Sequence, residues 1–120
     1  MKNKKILVVD DNVEHADMLS NLLTKLGHYT RKAYDGFDGF ILLNKEEFDF
    51  AFVDLNMPGK DGIDFYDDLM NVQPDCVMVL MTGYPEHIIK KKPHQKGIDY
   101  IILKPFSLDE IRDILSGIKN

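Results

Sequence analysis

The chain has 120 residues, 44% of them hydrophobic and 29% charged, with a formal net charge of −5. This is the composition of one soluble globular domain spanning residues 1–120, not of a disordered chain, and the negative balance argues against general binding to nucleic-acid phosphates. No apolar run approaches the roughly 20 residues of a membrane helix. The "ILVV" behind the basic "MKNKK" is too short for a signal-peptide core, and Cys76 is the only cysteine, which excludes an internal disulfide. A cytoplasmic location is expected.

In chain order, the first element is a nearly continuous apolar run at 5–9, KILVV, which reads as a strand buried on both faces. Val13, Ala16, Leu19, Leu22, Leu23 and Leu26 then fall on one helical face, with Asn12 as N-cap and Gly27 as the stop. The alternating stretch at 29–33, YTRKA, suits an edge strand, and Phe37, Phe40 and Ile41 mark a second helix. A second apolar run at 50–53, FAFV, leads to a helix marked by Ile63, Tyr66, Leu69 and Met70. A third run, CVMVLM at 76–81, precedes a fourth helix over 86–97. Pro93 lies inside that helix, where it removes a donor and costs about 3 kcal/mol, so the helix is expected to stop or kink near Lys92. The last run, YIILK at 100–104, is followed by a helix marked by Leu108, Ile111, Ile114, Leu115 and Ile118. Ser107 and Glu110 form its capping box. Five β-α units predict a parallel sheet with helices on both faces, and a ligand site beyond the carboxyl ends of its strands.

The residues at those strand ends carry chemistry. Asp10 and Asp11 follow the first strand, Asp54 the third, Thr82 the fourth and Lys104 the fifth. In a parallel sheet they share one edge. Each carboxylate pair about 4 Å apart costs roughly 4 kcal/mol at an effective dielectric near 20, which one lysine does not offset. An all-oxygen site of this kind points to Mg²⁺, which keeps positions open for a phosphoryl oxygen. A carboxylate can then act as nucleophile on phosphorus, with Thr82 and Lys104 neutralising charge on the phosphoryl oxygens. Singly these residues have plainer readings: Asp10–Asp11–Asn12 as a helix cap, Asp54 as a turn former, Thr82 as a loop residue and Lys104 as a surface lysine. Their joint occurrence, in order and each at a strand end, carries the functional reading.

The motifs ILVVDDN, FVDLNMPGKDG, VLMTGYPE and YIILKPF resemble those of the response-regulator receiver domain of two-component signalling, over essentially the whole chain. The resemblance implies a flavodoxin-like, three-layer, doubly wound α/β fold, with five parallel strands in the order 2-1-3-4-5 and five helices. It implies that Asp54 accepts a phosphoryl group from a histidine kinase or histidine phosphotransfer protein. Asp11 would hold Mg²⁺ directly and Asp10 through water, beside Asp54 and the backbone carbonyl of Asn56. Thr82 would bond the phosphoryl oxygen, Lys104 would pair with the phosphate and Pro105 would shape its loop. Asn56 and Tyr84 would line the approach of the water that removes the phosphoryl group, and a conformational switch would alter partner binding.

Two features depart from the family pattern. The switch aromatic usually stands three residues before the lysine; that position is Ile101, and Tyr100 is one earlier, so it belongs to the opposite strand face unless a bulge intervenes. Around Pro93, the residues Lys90, Lys91, Lys92, His94 and Lys96 crowd a surface that the family uses for output. They are either a solvated charged face or a dock for an acidic partner. His15, His28, His87 and His94 show no metal-ligand spacing, and Cys76 is expected to pack as a small apolar residue.

An aspartyl-phosphate hydrolase of the haloacid-dehalogenase group uses the same residue types. Its nucleophile lies on the first strand and its acidic pair comes last, the reverse of the order here. Two residues past its nucleophile stands an Asp, where this chain has Asn56. A degenerate receiver acting only as a scaffold lacks support, since every expected site residue is present. No output element follows the last helix, so the chain is either a free-standing regulator or a piece of a larger regulator or hybrid kinase. The Met at residue 1 favours a natural N-terminus.

Overall fold

The first strand, β1 (Lys5–Val9), lies at the inside of a five-stranded sheet in the computed structural model, which describes residues 3–98 and 100–117. It pairs in parallel with β2 (Tyr29–Ala33) on one side and β3 (Phe50–Asp54) on the other. β3 pairs with β4 (Val77–Thr82), and β4 with β5 (Tyr100–Leu103), giving the order β2-β1-β3-β4-β5 with every pair parallel. The continuous apolar runs of β1 and β3 are buried throughout, because helices cover both faces. β2, the alternating stretch, is an edge and is mostly exposed.

Alternate residues divide the core in two. Leu7, Val9, Val53 and Leu80 pack toward α2 (Gly36–Leu43) and α3 (Gly62–Val72), where they meet Phe65 and Leu69. Ile6, Val8, Phe52, Val79 and Met81 pack toward α1 (Val13–Lys25) and α5 (Leu108–Leu115), where they meet Leu23, Ile111 and Ile114. Cys76 is buried in the first of these clusters, and burial pushes its thiol up to about 12, so it is an apolar filler.

Helix ends follow their local chemistry. Asn12 caps α1 by accepting from the His15 N–H, and Gly27 ends it at φ +96°. The His28 N–H reaches back to the Leu23 carbonyl and that of Gly27 to Thr24, which is a complete Schellman closure. α5 carries the expected Ser107–Glu110 capping box, and α3 carries a second one, Asp61–Asp64, that the apolar pattern alone did not expose. The contribution expected of Ile118 lies outside the described residues.

One expectation changes and one holds. The residues that marked the second helix do not form its buried face: Phe37, Phe40 and Ile41 are exposed, and the helix packs through Gly36, Gly39 and Leu43. A Cβ on Gly39 would lie 2.9 Å from Phe65 Cε1 and 3.1 Å from Val9 Cγ2, so the helix approaches closer than any larger residue allows and its bulky side chains turn outward. The fourth helix, α4 (Pro85–Lys91), ends as proline requires. Lys92 turns left-handed at φ +50°, and Pro93 opens a separate 3-10 turn over Pro93–Lys96.

His28, just past α1, is a buried histidine. Its Nδ1 accepts the Lys4 N–H at 3.0 Å, which leaves the proton on Nε2, where the side chain has no partner among the described residues. Burial first, and then the positive charge of Lys4, hold its pKa below the usual 6.5. The unfolded chain therefore takes up this proton more readily, and stability present above about pH 6.5 is lost as pH falls toward the folded value. Thermal melts from pH 7.5 to pH 5.5 should show wild type losing stability relative to His28→Gln. Parallel curves for the two proteins would remove His28 as the cause.

Candidate functional site

The parallel arrangement places all five strand ends at one edge, and the charged residues collect there. Asp10 lies just past β1 and is buried. Its Oδ1 accepts the Asn12 N–H at 3.0 Å, and its Oδ2 accepts from the Lys104 ammonium at 2.8 Å. Asp54 is the last residue of β3 and is 6% exposed. Its Oδ1 accepts the Asn56 N–H at 3.4 Å, and its Oδ2 lies 3.7 Å from Lys104 Nζ. Asp11 is exposed at the rim, and one carboxylate oxygen from each of Asp10, Asp11 and Asp54 lies within 4.8 Å of the others.

Thr82 is the last residue of β4 and fully buried. Its hydroxyl accepts the Tyr84 N–H at 3.1 Å and donates to Asn56 Oδ1 at 2.9 Å. Lys104 follows β5, tied by its backbone N–H to the Thr82 carbonyl at 2.8 Å, and its peptide bond to the exposed Pro105 is cis. Gly62 closes the loop behind Asp54. A Cβ there would sit 2.7 Å from the Asp54 carbonyl oxygen, so only glycine lets α3 start against the strand end.

The electrostatics are unbalanced. Burial, opposed by Lys104 and reinforced by Asp10 and Asp11, pushes the Asp54 carboxyl up to about 6. One ammonium faces three acids, and it is already spent mainly on Asp10. The donor set is hard carboxylate oxygen with one member at the solvent rim, and it fits a small divalent cation such as Mg²⁺.

Tyr100 and Ile101 separate as strand alternation requires. The β4–β5 register runs unbroken from Val79–Tyr100 to Thr82–Leu103, with no bulge. Ile101 packs with Leu80 on the α2/α3 face, which is also the face of Thr82, whereas Tyr100 packs on the α1/α5 face. Tyr84 is exposed at the N-cap of α4. Of the basic cluster, Lys91 pairs with Asp61 at 2.7 Å and Lys96 with Asp67 at 3.2 Å, so part of that charge is neutralised by α3 and the loop before it. Lys90 and Lys92 have no ion-pair partner among the described residues.

Two histidines that spacing left quiet reach the site. The Lys104 ammonium donates to His15 Nδ1 at 3.3 Å, and the Asn56 side-chain amide meets His87 Nδ1 at 2.6 Å. Both contacts cross between distant segments of chain, so no local spacing could announce them. A groove of about 390 Å³ opens beside Lys104, between Met18 and Leu22 of α1 and Phe106.

A sequence model of the response regulator receiver domain matches residues 6–116. The chain belongs to that family. It is 32% identical over 113 residues to sporulation initiation phosphotransferase F of Bacillus subtilis, covering 94% of this chain and 91% of that protein. It is 36% identical over 125 residues to chemotaxis protein CheY-3 of Vibrio cholerae, covering 98% and 92%. The receiver also superposes, with a TM-score of 0.84 and 29% identity over 92% of its length and 65% of the other chain, on a response regulator from Burkholderia pseudomallei. That crystal structure is described as having a phosphorylated aspartic acid, a calcium ion and citrate. No helix among the described residues is long and apolar enough to cross a membrane.

The raised pKa of Asp54 has a measurable consequence. With its folded value about 6 and the unfolded value 3.8, the contribution of Asp54 to stability is fully present below about pH 3.8 and is lost as pH rises through about 6. In metal-free buffer, Asp54→Asn should therefore melt above wild type at pH 7.5, with the gap closing toward pH 4. Mg²⁺ should raise the wild-type melting temperature and move the variant much less. Equal Mg²⁺ shifts in both proteins would place the ion elsewhere.

Proposed function

We propose that this receiver takes a phosphoryl group onto Asp54 from the phosphohistidine of a histidine kinase or histidine phosphotransfer protein, in a Mg²⁺-dependent reaction. The observation that carries this reading is the meeting of Asp10, Asp11 and Asp54 at one sheet edge, with Lys104 and Thr82 beside them. The Burkholderia pseudomallei relative supports it through its phosphorylated aspartic acid.

In this reading an Asp54 carboxylate oxygen attacks phosphorus; the new P–O bond forms as the P–N bond of the donor breaks, and the imidazole leaves with the electron pair. Asp54 is largely ionised at neutral pH because its carboxyl titrates at about 6. Asp11, Asp10, Asp54 and the backbone carbonyl of Asn56 would hold Mg²⁺, which when bound supplies the positive charge that lets three acids and a phosphoryl group coexist. Lys104, 3.7 Å from Asp54, would pair with a phosphoryl oxygen. The Thr82 hydroxyl would turn from Asn56 to another. Asn56 and Tyr84 would flank the path of the water that later cleaves the acyl phosphate. The groove beside Lys104 gives the donor a surface next to the acceptor.

The phosphoryl group adds roughly −1.5 to −2 charge, and the switch is a shift between two populated arrangements of Thr82, Lys104 and the α4–β5 surface. Tyr100 faces the other layer and Ile101 carries no polar group, so neither serves as a hydrogen-bonding switch aromatic. The activity belongs to a signalling module that acts on itself.

Incubation with acetyl phosphate and Mg²⁺, read by intact mass, should give one phosphoryl adduct on wild type and none on Asp54→Asn or in excess chelator. Lys104→Ala should slow labelling by about 100-fold, the scale of losing one preorganised charge partner in the transition state. Equal labelling of wild type and Asp54→Asn would place the acceptor on another residue.

A further inference from the structure

The hydroxyl of Thr82 has one proton, and in this structure that proton is engaged. It goes to Asn56 Oδ1 at 2.9 Å, while the oxygen accepts the Tyr84 N–H at 3.1 Å. Asn56 in turn is fixed from its other end, its side-chain nitrogen meeting His87 Nδ1 at 2.6 Å. An amide has one oxygen and one NH₂ group, so committing the NH₂ to His87 fixes the oxygen toward Thr82. The buried Thr82 proton needs an acceptor, and this orientation of the amide provides it.

His87 stands in the first turn of α4, with its ring 5.1 Å from that of Tyr84 and inclined by 32°. α4 itself buries no residue against the sheet; among the described residues its other side-chain tie is Lys91 to Asp61 at 2.7 Å, beside the N-cap bond from the Tyr84 N–H to Thr82. The side-chain tie between the start of the helix and the acceptor loop runs through Thr82–Asn56–His87. The route outward along β5 is closed, because Ile101 cannot hydrogen-bond and Tyr100 lies on the other face.

We propose that His87 is a positioning residue, the α4 end of a latch that holds the Asn56 amide and, through it, holds the Thr82 hydroxyl away from the acceptor. This rests on Asp54 as the phosphoacceptor and names how that site is regulated. The hydroxyl cannot donate to Asn56 and to a phosphoryl oxygen at once. The bond to a charged phosphoryl oxygen is roughly twice as strong as a neutral one, so the incoming group takes the proton. Asn56 Oδ1 then loses its donor, the amide is free to turn, and the tie to His87 loosens the first turn of α4. Because latch and phosphoryl group compete for one proton, weakening the latch strengthens binding at Asp54 by the same factor that phosphorylation weakens the latch.

The test uses beryllium fluoride with Mg²⁺ as a phosphoryl probe, titrated by calorimetry into the full chain, with amide hydrogen exchange across α4 as the second readout. His87→Ala should bind the probe about three- to tenfold more tightly than wild type, the range of one net hydrogen bond. It should also show, without the probe, the faster α4 exchange that wild type shows with it. His87→Gln, whose side-chain oxygen can accept from Asn56, should restore both values toward wild type. In an Asn56→Ala background, His87→Ala should change neither. Unchanged affinity in His87→Ala, failure of His87→Gln to restore it, or the same change in the Asn56→Ala background would each overturn the latch while leaving Asp54 as acceptor. Failure of wild type itself to bind the probe would instead refute the phosphoacceptor reading, and the latch with it.

Discussion

The central constraint in this receiver is electrostatic. Three carboxylates from two strand ends share a site within 4.8 Å, and the ammonium of Lys104 from a third strand end bridges two of them, at 2.8 Å from Asp10 and 3.7 Å from Asp54. The charges do not cancel. The donor set therefore suits a small hard cation, and burial first, then the charges of Asp10 and Asp11 against that of Lys104, leaves the Asp54 carboxyl raised to about 6. The sheet provides the rigid frame. β1 and β3 are buried on both faces, so the backbones that present Asp10 and Asp54 cannot drift apart to relieve the repulsion.

Around this fixed centre the molecule is unevenly held. The α1/α5 and α2/α3 layers bury large apolar side chains against the sheet, and Gly39 and Gly62 let helices approach to contact distance where larger residues would collide. α4 buries none of its own residues and is fastened by polar contacts at its two ends. Elements held by few apolar contacts open at low free energy, and those that move in signalling are drawn from that class. On the proposed reading, the rigid layers present the acids and the loosely held helix reports what happens to them.

Thr82 stands where the two regimes meet. It is fully buried, belongs to the sheet by its backbone, and yet its side chain is engaged with the loop past Asp54 and, beyond it, with α4. In the proposed latch, its single hydroxyl proton would join a charge change at Asp54 to the freedom of a helix. Tyr100, on the opposite face, is not part of this polar chain.

The strands, the helix caps and the strand-end acids were legible in the sequence because each is a local signal: doubly buried strands are continuously apolar, Gly27 and Ser107 terminate and cap helices, and Pro93 stops one. Local pattern misread the second helix, since apolar periodicity selected Phe37, Phe40 and Ile41 while close packing selected Gly36 and Gly39; whether a small residue is buried depends on the partner, here Phe65, which lies elsewhere in the chain. The same limit hid His15 and His87, whose contacts with Lys104 and Asn56 span distant segments. Residue order alone specifies which side chains stand at the strand ends and what charge they carry. How closely those charges meet, which face Tyr100 takes, and that His87 closes on Asn56 were set by the folded packing, because distance and direction between segments remote in sequence exist only once the helices have packed on the sheet.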